Sequence, residues 1–402
     1  MNYLIVLGLV FSYAIPNPAL SKPYYPQADA EVLEQLPARG QNWLEIRALR
    51  QQVADNPNDL DTALHLVRRY IELGRIESDP RYYGYAEAVL TPWLQATPPS
   101  AEVLTLRATL FQNRHDFSTA LAYLNKALAL QPRLAQAWLT RALIEEVQGN
   151  YSAALRSCLP LLKLAPPLTA KVCMSTALSL SGQLDSAYQQ LQQALQTTET
   201  AAPQDKQWAQ LALAEMAERI GDAHAATQHY QQAFATAERN GYLLGAYADF
   251  LQDQGRHAEV VKLLKTETRA DGLLLRLTLA ELKLQLPEAQ AHIDQLQARF
   301  AAAKLRADNT HQGDEARFLL HVRKQPEPAL ALAQQNWLVQ REPRDARILL
   351  EAAIAAGKNK TQAQATLDFL AQATLQDVRL QVLIEQFNDA VLKHESVRGE
   401  LI

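Results

Sequence analysis

The chain has 402 residues, with 39 Lys plus Arg against 43 Asp plus Glu, for a formal net charge of −4. That balance excludes non-specific nucleic-acid binding, which needs a broadly basic face, though a local patch is compatible with it. Only 14 residues are glycine while Ala, Leu and Gln dominate, and no run of alternating β-branched residues occurs, so the composition is that of a helix former and excludes a mainly β design.

Residues 3–15 are almost wholly apolar. They are too few for a membrane-spanning helix, which needs about 20, and they fit the apolar core of a secretory signal peptide. Cleavage after Ala14 or Ser21 is expected, so residues 1–21 are assigned as signal and the mature chain as exported, with the periplasm as its compartment. No Lys or Arg precedes the apolar run, and the alternative is a buried N-terminal helix of a cytoplasmic protein. No cysteine lies near the cleavage region, which argues against a lipid anchor. Residues 22–57 form a Pro-, Tyr- and Gln-rich lead-in followed by a capping helix from Trp43 to Ala54, stopped at Asn56-Pro57. Leu60 to Gly74 starts a helical hairpin. An insertion from Arg75 to Gly84 separates it from a second helix resuming near Tyr85.

Residues 101–166 hold two copies of one pattern. Phe117 recurs as Tyr151, Ala120 as Ala154 and Pro132 as Pro166, each 34 positions on. In the second copy Trp138, Ala142 and Leu143 fall at helical spacing before Gly149-Asn150, a turn signal, and Ala153, Leu155, Leu161 and Leu162 follow it. Pro166 closes the unit, and Pro160 inside the second helix should kink it. The period, the aromatic before the second helix and the closing proline resemble the tetratricopeptide repeat. The resemblance implies an all-α fold: an α-solenoid of stacked helix-turn-helix repeats forming a right-handed superhelix, because one hairpin cannot bury its apolar face alone.

Beyond Pro166 the pattern continues as 168–195, 207–234, 241–264 and a degenerate 272–299, giving a solenoid over 58–302. Residues 303–313 read as a linker. Residues 303–402 then supply degenerate helical pairs (315–324 with 329–340, 345–356 with 361–373) and a capping helix over 375–393 with Leu380, Leu383, Ile384 and Phe387 on one face. About eight hairpins are expected in all.

In this repeat family the first helices line a concave surface that binds peptides. Projected onto this chain, the groove is formed by Leu139, Leu143, Val172, Thr176, Trp208, Leu211, Glu215, Tyr242 and Asp249. The Lys, Arg and Asn that grip a terminal carboxylate in the family's chaperone-tail receptors are not at these positions, so that mode is disfavoured. Apolar and aromatic anchors instead suit a peptide or partner helix. Arg81, Tyr82 and Tyr83 in the insertion are a second contact candidate. Cys158 and Cys173, the only cysteines, fall on helices that should be neighbours; a disulfide in an oxidising compartment and two buried small apolar side chains are both open readings. The nine histidines show no metal-ligand spacing, and phosphate-loop, nucleophile-elbow and zinc-protease motifs are absent, so no metal or cofactor is expected.

The expectation is thus a non-enzymatic, exported protein–protein interaction scaffold with protein partners, no nucleic acid, and no integral membrane segment after signal removal. The alternatives are a cytoplasmic scaffold, or a catalytic or small-ligand module in the C-terminal half. The second would need Asp314, Glu315, Arg317 and Arg347 to converge in a closed pocket.

Overall fold

The computed structural model describes residues 41–95, 98–306, 308, 310–357 and 362–387. Residues 1–21, expected to be a signal segment, most of the lead-in and the end of the expected capping helix over 375–393 lie outside the described residues. Residues 46–402 make one compact unit; of the other, residues 1–45, only the first turn of helix α1 is described.

Among the described residues there are twenty helices and no strand. After α1 (Gln41–Asp55) they pair in sequence: α2 (Leu60–Ile76) with α3 (Arg81–Leu94), α4 (Ala101–Asn113) with α5 (Phe117–Leu130), and α6 (Ala135–Val147) with α7 (Tyr151–Cys158) and its short continuation α8 (Leu161–Leu164). Next come α9 (Pro167–Ser179) with α10 (Leu184–Thr197), α11 (Pro203–Ile220) with α12 (Ala223–Thr236), and α13 (Gly241–Asp253) with α14 (His257–Leu264). The last pairs are α15 (Asp271–Leu284) with α16 (Ala289–Leu305) and α17 (Gln312–His321) with α18 (Pro326–Trp337). Helices α19 (Pro343–Ala355) and α20 (Gln364–Gln372) follow the eight hairpins, and residues 378–387 are helical. The fold is an α-solenoid of tetratricopeptide-like hairpins.

The alanines that recur along the second helices explain how closely each pair packs. Ala86, Ala120, Ala154, Ala187 and Ala226 are all fully buried, and any larger side chain would hold the helices apart. The hairpin turns share a backbone device. Each of the eight, and the bend after α19, passes through one residue at positive φ: glycine at Gly149, Gly182, Gly221, Gly255 and Gly357, but Ser78, His115, Gln285 and Lys324 at the others. Side chains cap several helix starts, as where Asp116 and Asp222 accept from the amides of Thr119 (3.2 Å) and Ala225 (2.9 Å).

Three local findings refine the sequence reading. The insertion after Gly74 is absorbed almost wholly into helix: α2 runs on to Ile76, α3 starts at Arg81, and only Glu77 to Pro80 form the turn. The linker after α16 is shorter than expected, running from Arg306 to His311. Pro160 breaks its helix as expected, and there Cys158 and Cys173 are joined by a disulfide, with Cα atoms 5.8 Å apart, tying short α7 to α9 of the next hairpin. On the final helix, Leu380 and Phe387 are buried and Leu383 and Ile384 pack against the same core.

The array also closes on itself. Helix α13 packs beside α2, and Asp79 in the first turn accepts from Arg269, after α14, at 2.5 Å. Further along, Arg341, Phe369, Thr374, Gln376 and Val378 lie against the turns of the third to fifth hairpins. The Arg341 amide donates to the Val147 carbonyl (2.8 Å), and the Leu184 amide donates to the Gln376 side chain (3.1 Å). A Cβ on Gly149 or Gly182 would collide with Phe369 or Thr374, so these turns need glycine for close approach as well as for positive φ.

Candidate functional site

Helices α2, α4, α6, α9, α11, α13, α15, α17 and α19, the first of each pair, pack side by side in succession. Because the array closes, their inner faces border a half-open channel of about 2080 Å³ whose wall runs from Glu72 on α2 to Leu380. The concave groove of an open solenoid is thus a deep cavity here.

The projected groove residues divide. Thr176, Trp208, Leu211, Glu215, Tyr242 and Asp249 line the channel. Val172 is fully buried between α9, α10 and α11, and Leu139 packs against the cluster around the disulfide; both belong to packing between repeats. Leu143 is half-buried and outside the channel wall. Of the candidates Arg81, Tyr82 and Tyr83, only Tyr83 lines the channel, while Arg81 grips Asp79 (2.6 Å) and Tyr82 donates to Glu77 (3.1 Å).

The second half contributes more of the wall than the repeat projection reached. Asp249 of α13 is clamped at 2.6 Å by Arg276 of α15 and at 2.6 Å by Arg317 of α17. Burial pushes the Asp249 carboxyl up, but the two guanidiniums outweigh it and hold the group well below the usual carboxylate range. One helix on, Arg347 bridges Asp253 (2.6 Å) and Glu351 (2.8 Å), and His321 also binds Glu351 (2.8 Å). Burial raises the Glu351 carboxyl, yet His321 and Arg347 bring it down to about 2. Arg379 joins Glu218 to Asp377, and Tyr230 donates to Glu218. Asp314, Arg317 and Arg347 therefore line one half-open cavity, whereas Glu315 turns to Lys304 (2.6 Å). They do not converge on a point: Arg317 and Arg347 each serve a different carboxylate.

A third region, around α6, α9 and α11, is met differently. Glu146 accepts from the Thr176 hydroxyl (2.9 Å), and Glu215 from the Tyr242 hydroxyl (2.8 Å). Burial pushes Glu146 up to about 7 against the opposing Thr176 hydrogen bond, and raises Glu215 as well. Arg219 is 6% exposed and donates to the Ser179 carbonyl (2.9 Å) and hydroxyl (2.7 Å). His115 also lines the channel, and burial followed by the nearby His311 and Arg344 lowers it to about 4, so it is neutral at pH 7.

Among the described residues no cluster of His, Cys, Asp and Glu could hold a metal ion, and no helix is long and apolar enough to cross a membrane. The wall residues from α15 to α19 were not projected as groove, because the repeat markers fade after residue 272. Their signal was the charge spacing Asp314, Arg317, His321 and Arg344, Arg347, Glu351, three or four apart on one helix face.

No family model matches the chain, and no curated protein matches it. Solved structures do resemble it. A Rap protein complexed with competence and sporulation factor has a TM-score of 0.45 at 13% identity, over 86% of this chain and 97% of that one. The Cut9–Hcn1 hetero-tetramer of the APC/C has a TM-score of 0.44 at 17% identity; it matches 77% of this chain, which spans 59% of that longer one. Human IFIT1, solved with PPP-AAAA, has a TM-score of 0.41 at 15% identity, over 90% and 87% of the two chains. At these identities the likeness concerns the fold alone.

Proposed function

We propose that the protein is an exported, non-enzymatic scaffold that holds an extended polypeptide segment of a protein partner inside its channel. The observation that carries this reading is the cavity volume of about 2080 Å³. Small-molecule sites span roughly 300–1,000 Å³, so this space suits a chain of residues better than one metabolite. Its wall alternates apolar anchors, Trp208 and Leu211, with polar groups such as Thr176 and Glu215, as polypeptide binding requires. The clamped pairs around Asp249 and Glu351 favour a structural reading of the C-terminal charges over a catalytic one, since each basic group is already held by an acid.

Export is supported by the apolar N-terminal stretch and by the Cys158–Cys173 disulfide, which suits an oxidising compartment. N-terminal sequencing of the protein from its native host tests this: a start at residue 15 or 22 is expected, and a start at residue 1 or 2 would refute it. Channel binding is tested by selecting peptides from a displayed random library on the full chain, then repeating the measurement on a Leu211→Arg variant. Selected peptides should lose binding to the variant; equal binding would place the site elsewhere.

A further inference from the structure

Several channel carboxylates are met by guanidiniums, as Asp249, Asp253, Glu351 and Glu218 are, whereas Asp345 accepts from the Asn336 amide; on the wall built by α6, α7, α9 and α11 two further carboxylates meet only hydroxyls. There Glu146 and Glu215 accept only hydroxyls, and neither has a cationic partner among the described residues. Arg219 is close enough to influence both by charge, but its donors are directed at Ser179 and a backbone carbonyl. The nearby Glu342 is already met by Arg344 at 2.6 Å. Glu146 and Glu215 are thus without a guanidinium in direct contact. A second observation points the same way. Tyr151, only 5% exposed, lines this wall, and its hydroxyl has no hydrogen-bond partner among the described residues. Burial raises that hydroxyl's proton affinity, and the charge of Glu146 adds to it.

We infer that this wall receives a cation, the ammonium or guanidinium of a Lys or Arg side chain in the bound polypeptide, held between Glu146 and Glu215 with the Tyr151 hydroxyl as a further acceptor. A desolvated carboxylate without a counter-charge is costly, and a ligand cation relieves that cost where the protein does not. Leu211 and Trp208 lie one and two turns before Glu215 on the same face of α11, and both line the channel, so the aliphatic stem of a long cationic side chain finds apolar surface beside the carboxylates. The inference rests on the polypeptide-channel reading.

The test is fluorescence anisotropy on the full chain with three labelled dodecapeptides of one Ser-Leu framework, carrying Lys, Glu or neither at alternate positions. The Lys peptide should bind best, and the Glu146→Gln/Glu215→Gln variant should bind it about thirtyfold or more weaker, the loss expected when a buried charge pair is broken. That variant removes buried charge without changing shape, so its thermal midpoint should stay level or rise, separating lost binding from lost folding. If Lys and neutral peptides bind alike to both proteins, the cation inference fails while the channel reading stands. Failure of all three peptides, with unlabelled spermidine also unable to bind by calorimetry, overturns both. Binding of spermidine alone, lost in the variant, keeps the cation site and assigns it to a free amine.

Discussion

Removing the disulfide should be the most damaging covalent change available to this fold. Cys158 and Cys173 are 15 residues apart in sequence, and closing a loop of that length restricts the unfolded chain by about 3 kcal/mol. The effect should be concentrated locally. The second helix of the third hairpin is split by Pro160 into segments of eight and four residues, too short to hold their place by helix propensity. In a solenoid each repeat is stabilised mainly by its neighbours, so loosening this junction uncouples the repeats on either side. Both cysteines are 1% exposed, and a reductant will reach them only through opening. The comparison is therefore Cys158→Ala/Cys173→Ala against the oxidised parent, by urea denaturation followed at 222 nm and by hydrogen exchange. A loss of about 3 kcal/mol is expected, with protection falling first in α7, α8 and α9. Unchanged midpoints and unchanged exchange in those helices would refute the reasoning. Thiol titration of denatured protein from the native host should find no free thiol; two would remove both the bridge and its support for export.

Three smaller tests bear on the turns, the closure and the channel charges. Gln285 is exposed and sits at φ 57° where other turns have glycine, so Gln285→Gly should raise stability by about 0.5–1 kcal/mol, and a drop in the denaturation midpoint would contradict the strain argument. Phe369 wedges between Tyr151 (ring centroids 6.1 Å apart) and Trp337 (5.4 Å) against Gly149, so Phe369→Ala should cost about 1–3 kcal/mol and speed amide exchange in α19 and α20, while unchanged exchange would show that the closure does not depend on this contact. Glu351 has a carboxyl lowered in the fold to about 2, so its contribution is fully present above the unfolded value near 4.5 and is lost as pH falls through about 2. With the partly exposed Arg347 and His321 screened by water, that contribution is on the order of 1–2 kcal/mol. The stability gap between the parent and Glu351→Gln should therefore narrow from pH 6 to pH 3; a constant gap would refute the linkage.

The sequence revealed packing more fully than surface. Ala120 and Ala154, 34 apart, marked a helix contact because a close helix crossing tolerates only a small side chain there, and both are buried. The hairpin boundaries were legible for the same reason, since glycine or proline has a backbone reason to recur at turns. The inner face carries no such repeat. Its residues answer to whatever lies across the channel, several repeats away in sequence, as Asp249 answers to Arg317 and Glu218 to Arg379. Projection from one hairpin therefore selected Leu211 and Glu215, which line the channel, together with Val172, whose face of α9 turns into the core. The first-turn insertion was misjudged as a loop because Gly74 looked like a turn glycine. Instead it is a packing glycine inside α2, where any Cβ would strike the ring of Tyr83.

Closure is what turns these separate features into one device. In an open solenoid the charges on the inner helix faces would be solvated, and pairs such as Asp249 with Arg276 would contribute little. Folding the later repeats across the turns of the earlier ones lowers the dielectric response inside, strengthens every matched pair and penalises every unmatched charge. The matched pairs lie mainly on α13 to α19, the segment whose helical repeat is weakest in sequence, so electrostatic clamping holds together the part of the array that pattern alone supports least. Glu146 and Glu215, which meet only hydroxyls, lie on α6 and α11, where the repeat is regular and packing holds the helices. A wall that does not need its charges for stability is the place where charge can be left available to a ligand, and that division is why Glu146 and Glu215, rather than the more numerous acids of the second half, are the groups to mutate for binding.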